Sequence, residues 1–221
     1  MIKRTILLFL CIVLLLGMPC GYTAYAEQNA VQVTPTVSIG YGFMIALRSD
    51  GTAVAWGNNQ AGVFGNGTVT DSAIPQNVTM PETEEGTVRF SKLCAGYDHV
   101  VALATDGTVW SWGSDESGQL GNRNIAETPQ SVNTPKQVHG ALEGKNVVSI
   151  AAGHAFSLAL TSEGKVYAWG NNQFGILGNA DQSISAENDV CYPLRVTALD
   201  QPFITAIFAG ERTGGALDSN G

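Results

Sequence analysis

The sequence predicts an all-β protein, a β-propeller assembled from small antiparallel sheets, and three observations carry that prediction. One block recurs in phase. Its opening glycine falls at Gly40, Gly96, Gly153 and Gly210, and its Trp-Gly pair at Trp56-Gly57, Trp112-Gly113 and Trp169-Gly170, in steps of 56 or 57 residues. A fixed period of this kind marks a repeat architecture. Each copy is divided by turn signals into short runs rich in β-branched and apolar residues, the composition of strands. No run shows the 3.6-residue periodicity of a helix. Four short strands per unit at even spacing fit four-stranded antiparallel blades arranged radially.

Taken in order, residues 1–26 read as a secretory signal peptide. Lys3 and Arg4 precede the 11-residue apolar run Ile6–Leu16, and Ala24-Tyr25-Ala26 offers a cleavage site. The run is shorter than the about 20 residues that a spanning helix needs, so no stable membrane span is expected after its removal. Residues 27–36 are a polar leader, and residues 37–221 form the propeller, with repeats starting near 37, 90, 147 and 204. The first strand of each unit is Val37–Ile39, Phe90–Ala95, Val147–Ala152 and Ile204–Ala209. The second is Met44–Arg48, Val100–Ala104 and Ser157–Thr161. Asp50-Gly51, Asp106-Gly107, Glu163-Gly164 and Asn220-Gly221 follow, and such pairs favour two-residue hairpins with primed turns. The third strand is Thr52–Trp56, Thr108–Trp112 and Lys165–Trp169, whose Trp should pack between neighbouring sheets. A Gly-rich loop and a variable polar segment lead to Pro75–Val78, Pro135–Val138 and Pro193–Val196, where a leading Pro suits a sheet edge.

Charge narrows the partners. Eleven basic and 19 acidic residues give −8, and loss of Lys3 and Arg4 with the signal leaves nine against 19, or −10. Nucleic-acid binding relies on clustered Lys and Arg that displace counterions, and anionic membranes attract basic segments; neither partner fits. Cys11 and Cys20 leave with the signal. Cys94 takes the place of Ala151 in the next copy and reads as a small buried hydrophobe. A secreted chain permits a Cys94–Cys191 disulfide, but the period puts the two on different units, so free thiols are expected. His99, His139 and His154 lack a metal-binding spacing, and no nucleophile elbow or Cys-x-x-Cys is present. The Gly-rich loops open no helix, so they do not read as phosphate cradles. No catalytic residue, metal site or cofactor is expected. Asp71, Asp115, Glu116, Asp181 and Asp189 read as solvated loop carboxylates, the alternative being acid–base or calcium chemistry if they converge.

The blocks AGYDHVVALATDGTVWSWGSDESGQLGN and AAGHAFSLALTSEGKVYAWGNNQFGILGN resemble the regulator of chromosome condensation repeat. The resemblance runs from Val37 to the C-terminus in the order Ala-Gly, Ala-Leu, Asp-Gly, Trp-Gly, Leu-Gly. It implies a seven-bladed propeller, of which about 3–3.5 blades are present, since Glu27–Gly221 holds about 3.4 repeat lengths. In that frame Gly40, Trp56, Gly57, Gly96, Trp112, Gly113, Gly153, Trp169 and Gly170 are structural repeat residues. The copies depart from the family pattern in two places. The His three residues after the opening Gly occurs only as His99, replaced by Phe43, Phe156 and Thr213. Gln119-Leu120-Gly121 becomes Val63-Phe64-Gly65 and Ile176-Leu177-Gly178. The founding member of the family is a nuclear exchange factor for a small GTPase that binds chromatin, a role that a secreted acidic chain fits least. The nearer analogues are a secreted bacterial inhibitor of β-lactamases and repeat modules of bacterial surface proteins, so a secreted bacterial type is implied.

Binding is expected where the copies differ. The residues after the opening Gly are Tyr41-Gly42, Tyr97-Asp98, His154-Ala155 and Glu211-Arg212, a row along one rim. Tyr41, Tyr97, Asp98, His154, Glu211 and Arg212 are the candidate partner-binding residues, since Tyr and Arg are enriched among interface anchors. The alternative for Tyr41 and Tyr97 is that each caps the neighbouring blade. Phe64 and Phe174 are either exposed contacts or core plugs. The expected function is a non-enzymatic module, secreted or at the cell surface, that binds an extracellular or cell-surface protein. The alternative is a carbohydrate- or cell-wall-binding, even hydrolytic, propeller using the amides of Asn58, Asn59, Asn171 and Asn172, which otherwise read as turn residues. The chain stops within a hairpin signal at Asn220-Gly221. It therefore reads as a fragment whose open strand edges invite self-association.

Overall fold

The computed structural model describes residues 32–122, 131–178, 189–201 and 203–221; residues 1–26, expected to be a signal peptide, and Asp181 lie outside them. The first sheet contains β1 (Thr36–Ile39), β2 (Phe43–Leu47), β3 (Ala53–Gly57) and β4 (Ser72–Asn77). A two-residue-strand hairpin, β5 (Glu82–Thr83) with β6 (Gly86–Thr87), precedes the second sheet. That sheet holds β7 (Phe90–Ala95), β8 (His99–Ala104), β9 (Val109–Gly113) and β10 (Val132–Gln137). The third is β11 (Val147–Ala152), β12 (Phe156–Thr161), β13 (Val166–Gly170) and β14 (Val190–Arg195). A fourth unit contributes β15 (Ile204–Ala209) and β16 (Gly214–Asp218). Each sheet is an antiparallel meander in chain order, and the set forms part of a β-propeller. Among the described residues the only helical turns are three-residue 3-10 segments, and no helix is long and apolar enough to cross a membrane.

The hairpin turns differ from the expected two-residue type. Arg48 N–H donates to Thr52 O at 2.8 Å, and Gly51 N–H donates to Arg48 O at 3.0 Å. The loop is therefore the three residues Ser49, Asp50 and Gly51, a type I turn closed by Gly51 at φ +78°. Asp50 Oδ1 accepts from Thr52 N–H at 2.9 Å and from its hydroxyl at 2.7 Å, which favours this turn over a primed one. Asp106 and Thr108 repeat the arrangement. The outer strands β4, β10 and β14 do lie at sheet edges, but Pro75, Pro135 and Pro193 occupy their fourth positions rather than their starts. The ladders to β4 and β10 are interrupted around the proline, so no ladder hydrogen bond is lost to it.

Packing follows from strand alternation. Each sheet has a leading face toward the next unit and a trailing face toward the one before. Phe43, Ile45, Leu47, Ala53 and Ala55 on the leading face of the first sheet bury against Phe90, Leu93, Val100, Ala102 and Trp112 on the trailing face of the second. Val101, Leu103 and Val109 do the same against the third sheet, in a second core that continues to Ile204 and Ile207. Trp112 Nε1–H donates to Val63 O of the preceding unit at 2.8 Å, and Trp169 Nε1–H to Gln119 O at 2.9 Å. Both indoles are fully buried, as expected, whereas Trp56 is half-buried. Phe64 is buried too and is a core plug; the Phe174 side chain lies outside the description.

The residue three after each Trp ties the Gly-rich loop. Asn59 Oδ1, Asp115 Oδ1 and Asn172 Oδ1 accept the N–H of Phe64, Leu120 and Leu177, each five residues on. Asp71 Oδ1 and Asp189 Oδ1 accept from Asn59 N–H and Asn172 N–H. Asp71, Asp115 and Asp189 are thus loop fasteners rather than free surface carboxylates. Cys94 and Cys191 form no disulfide.

Candidate functional site

The opening glycine of each unit ends one strand and lets the chain double back into the next. Gly96 has no room for a side chain, because a Cβ there would sit 2.6 Å from Gly153 O and against the His99 ring. Neighbouring units therefore meet backbone to backbone. Tyr41 N–H donates to Tyr97 O at 2.9 Å, Tyr97 N–H to His154 O at 3.2 Å, and His154 N–H to Glu211 O at 3.0 Å. These rungs set the spacing of the side chains that follow each glycine.

The spacing makes a column. The Tyr41 and Tyr97 rings stack with centroids 4.2 Å apart and planes 11° apart, and Tyr97 and His154 stack at 4.2 Å and 29°. Glu211 occupies the next place. Tyr41 is 67% exposed, and its outer ring face has no ring against it among the described residues. Partial loss of water and the neighbouring Tyr41 push the Tyr97 phenol above its ordinary value. Each ring covers its neighbour, as the capping alternative for the tyrosines expects, and still borders solvent.

Beside the column lies a cavity of about 310 Å³ whose lining includes Asp98, Gln119, His154, Asn171, Glu211 and Arg212. All six candidate residues are thus placed on one rim, Tyr41 and Tyr97 in the column and the other four around the cavity. Asp98 is half-buried. Burial raises its pKa, opposed by hydrogen bonds from Gln119 and Ser114; Gln119 Nε2 donates to Asp98 Oδ1 at 3.5 Å. Glu211 and Arg212 face each other at 4.0 Å with three-quarters of each side chain in solvent, a pair of little energetic weight. Gln119 escaped the sequence reading because it belongs to the repeat signature, and Asn171 entered it only as an amide of the carbohydrate-binding alternative. Only the packing of one unit on the next turns them toward the same cavity.

Beneath the rim sits His99, fully buried. Ser157 hydroxyl donates to Gln119 O at 2.8 Å. Its oxygen is then left to accept from His99 Nε2, 3.1 Å away, which places the proton of the neutral ring on Nε2. Nδ1 has no partner. Burial, followed by the charge of His154, lowers the His99 pKa to about 3. Among the described residues no three His, Cys, Asp or Glu converge to hold a metal ion.

Comparison with known proteins gives this geometry a lineage. A model of the regulator of chromosome condensation (RCC1) repeat matches residues 50–103, 106–160 and 163–217, and a second model of the same repeat matches 36–63, 90–119 and 147–176. The chain belongs to the regulator of chromosome condensation repeat family. It is similar to the ultraviolet-B receptor UVR8 of Arabidopsis thaliana, with 29% identity over 187 residues, 84% of this chain and 39% of that receptor. It is also similar to the E3 ubiquitin-protein ligase HERC2 of Homo sapiens, with 32% identity over 166 residues, 75% of this chain and 3% of the ligase. The chain thus spans well under half the length of these relatives. Among solved structures, yeast RCC1 (Prp20), crystallised with Kap60, superposes with a TM-score of 0.69 at 23% identity, over 84% of this chain and 42% of that one. Human WBSCR16 superposes with a TM-score of 0.69 at 21% identity, over 85% of this chain and 46% of that one. At such identities the likeness is one of fold. The first frame of the repeat family runs from the β2–β3 turn to the end of β8. One sequence repeat therefore joins the second half of one sheet to the first half of the next, and this carries its residues across each interface.

Proposed function

We propose that this chain is a secreted or cell-surface, non-enzymatic interaction module that binds an extracellular protein through the rim formed by Tyr41, Tyr97, Asp98, His154, Glu211 and Arg212. The observation that carries the reading is the stacked column Tyr41–Tyr97–His154 beside the cavity lined by Asp98, Glu211 and Arg212. Rigid aromatic groups beside charged ones make anchors at low conformational cost. Secretion is supported by the N-terminal pattern of Lys3, Arg4, Ile6–Leu16 and Ala24-Tyr25-Ala26. A nuclear exchange role remains the weakest reading for an acidic chain with that leader.

Carbohydrate binding is less favoured because a sugar stacks on an open ring face. In the column the facing sides of Tyr41, Tyr97 and His154 cover one another, which leaves the outer face of Tyr41 as a single platform. The amides of Asn59 and Asn172 are tied to their own loops. The test pairs capture of extracellular proteins on the immobilised chain with a glycan array. A protein partner lost in Tyr97→Ala and in Arg212→Ala is expected. Strong glycan binding with no such partner overturns the proposal.

A further inference from the structure

The aromatic column puts two phenols face to face. Tyr41 and Tyr97 stack with ring centroids 4.2 Å apart and planes only 11° from parallel. Each follows the opening glycine of its unit, and the rung from Tyr41 N–H to Tyr97 O at 2.9 Å holds the two backbones in the same register. The two rings therefore run in the same direction. Loss of water and then the Tyr41 hydroxyl raise the Tyr97 pKa, which agrees with hydroxyl groups set side by side. The ortho carbons next to those hydroxyls consequently lie near one another.

No other pair of tyrosines among the described residues has this arrangement. His154 stacks on Tyr97 at the same 4.2 Å, but at 29° and with an imidazole in place of a phenol. Tyr167 is buried in the core, and Tyr192, 36% exposed on β14, has no ring against it among the described residues. A phenol that loses one electron and its O–H proton becomes a phenoxyl radical, whose unpaired electron is shared with the ortho carbons. A free phenoxyl couples only when it meets another. Here the second phenol is held beside the first, close to the about 3–3.5 Å from which well-oriented groups react. Tyr97 is half-buried and still borders solvent, so an oxidant in solution can draw an electron from the pair.

We propose that Tyr41 and Tyr97 form an intrachain dityrosine cross-link when the protein meets hydrogen peroxide and a haem peroxidase. Two one-electron oxidations remove an electron and a proton from each hydroxyl. The two radicals then join ortho carbon to ortho carbon, forming one C–C bond. The hydrogen on each of these carbons passes through water to the oxygen of its own ring and restores both phenols. The chain loses two hydrogen atoms in all, and one peroxide, its O–O bond broken, is reduced to two waters. The product ties residues 56 positions apart and clamps the first two units together along the rim. Closing a loop of that length restricts the unfolded chain. The link is thus a covalent seal on a junction otherwise held by packing and backbone hydrogen bonds.

Peroxidase treatment of the dilute purified chain, read by dityrosine fluorescence and by mass spectrometry of proteolytic fragments, tests this. The expected result is fluorescence that grows at a rate per chain independent of protein concentration, on a band that stays at the mass of one chain. The fragment carrying Tyr41 should be recovered joined to the fragment carrying Tyr97, lighter than the two together by two hydrogen atoms. Tyr41→Phe and Tyr97→Phe each keep a ring in the stack but lack the phenol. Each should abolish the intrachain fluorescence with unchanged circular dichroism, whereas Tyr192→Phe should leave it in full. No binding partner is present, so the result is independent of the rim's role in recognition. Recovery of the Tyr41 and Tyr97 fragments only in unlinked form overturns the proposal. So does fluorescence confined to species of two or more chains, or single-chain fluorescence that persists in either of the Tyr41 and Tyr97 variants.

Discussion

Trp56 and Trp112 end the same motif, on the same strand of consecutive sheets, and meet different fates. Trp112 is sealed, with its indole N–H bonded to Val63 O of the preceding unit. Trp56 is half-buried on the open trailing face of the first sheet. The tryptophan is thus a sealing residue whose contribution depends on the neighbouring unit. Replacing it should measure an interface rather than a sheet.

The largest effect is expected from Trp112→Ala. Loss of a fully buried aromatic should cost about 3–5 kcal/mol in urea unfolding, against about 1 kcal/mol for Trp56→Ala. Equal losses would break the comparison. Gly121→Ala comes next. Gly121 has φ +66°, and a Cβ there would stand 2.6 Å from Trp169 Nε1. About 1–3 kcal/mol should be lost through strain and displacement of the indole. Gly178→Ala, at the same φ but with Val196 Cγ1 at 3.4 Å as the one atom within 4 Å among the described residues, should cost less.

His99→Phe sharpens the comparison between sealed junctions, since Phe43 and Phe156 fill the equivalent places. The His99 pKa falls from an ordinary 6.5 to about 3 in the folded chain. Its neutral form therefore supports the fold above pH 6.5, and that support is lost as pH falls toward 3. Melting temperature measured against pH should fall less steeply on the acid side in His99→Phe than in the wild type. The smallest effect belongs to Asp98→Asn. Burial raises the Asp98 pKa, so ionisation costs stability as pH rises through the carboxylate range. The variant should be more stable at neutral pH by under about 1 kcal/mol, with no gain once the pH is low enough to protonate the wild-type side chain. It should nonetheless weaken capture of the rim partner.

Much of this architecture was legible in local chemistry. Strand positions followed from the 56- and 57-residue period, and the turns were located by Asp50-Gly51 and its counterparts. Their type was not, because the Asp50–Thr52 hydrogen bonds that select a three-residue loop depend on the residue after the glycine. Burial was harder still. Phe64 and Phe208 are both aromatic residues beside glycine or alanine, yet one is sealed and the other open. The difference lies in which unit covers them, and single-copy sequence does not encode that. The rim row was visible as variation after each glycine. Its stacking at 4.2 Å depended on the backbone rungs, a long-range property.

Those rungs bear on how such a protein changes over generations. They use only main-chain atoms, so the rungs themselves place no demand on which side chain follows each opening glycine. A gene that duplicates one repeat inherits a ready position, and a single codon change there rewrites one letter of the column. Tyr, Tyr, His and Glu already occupy four such positions. The side chain at that position can therefore change while the backbone rungs beneath it stay as they are.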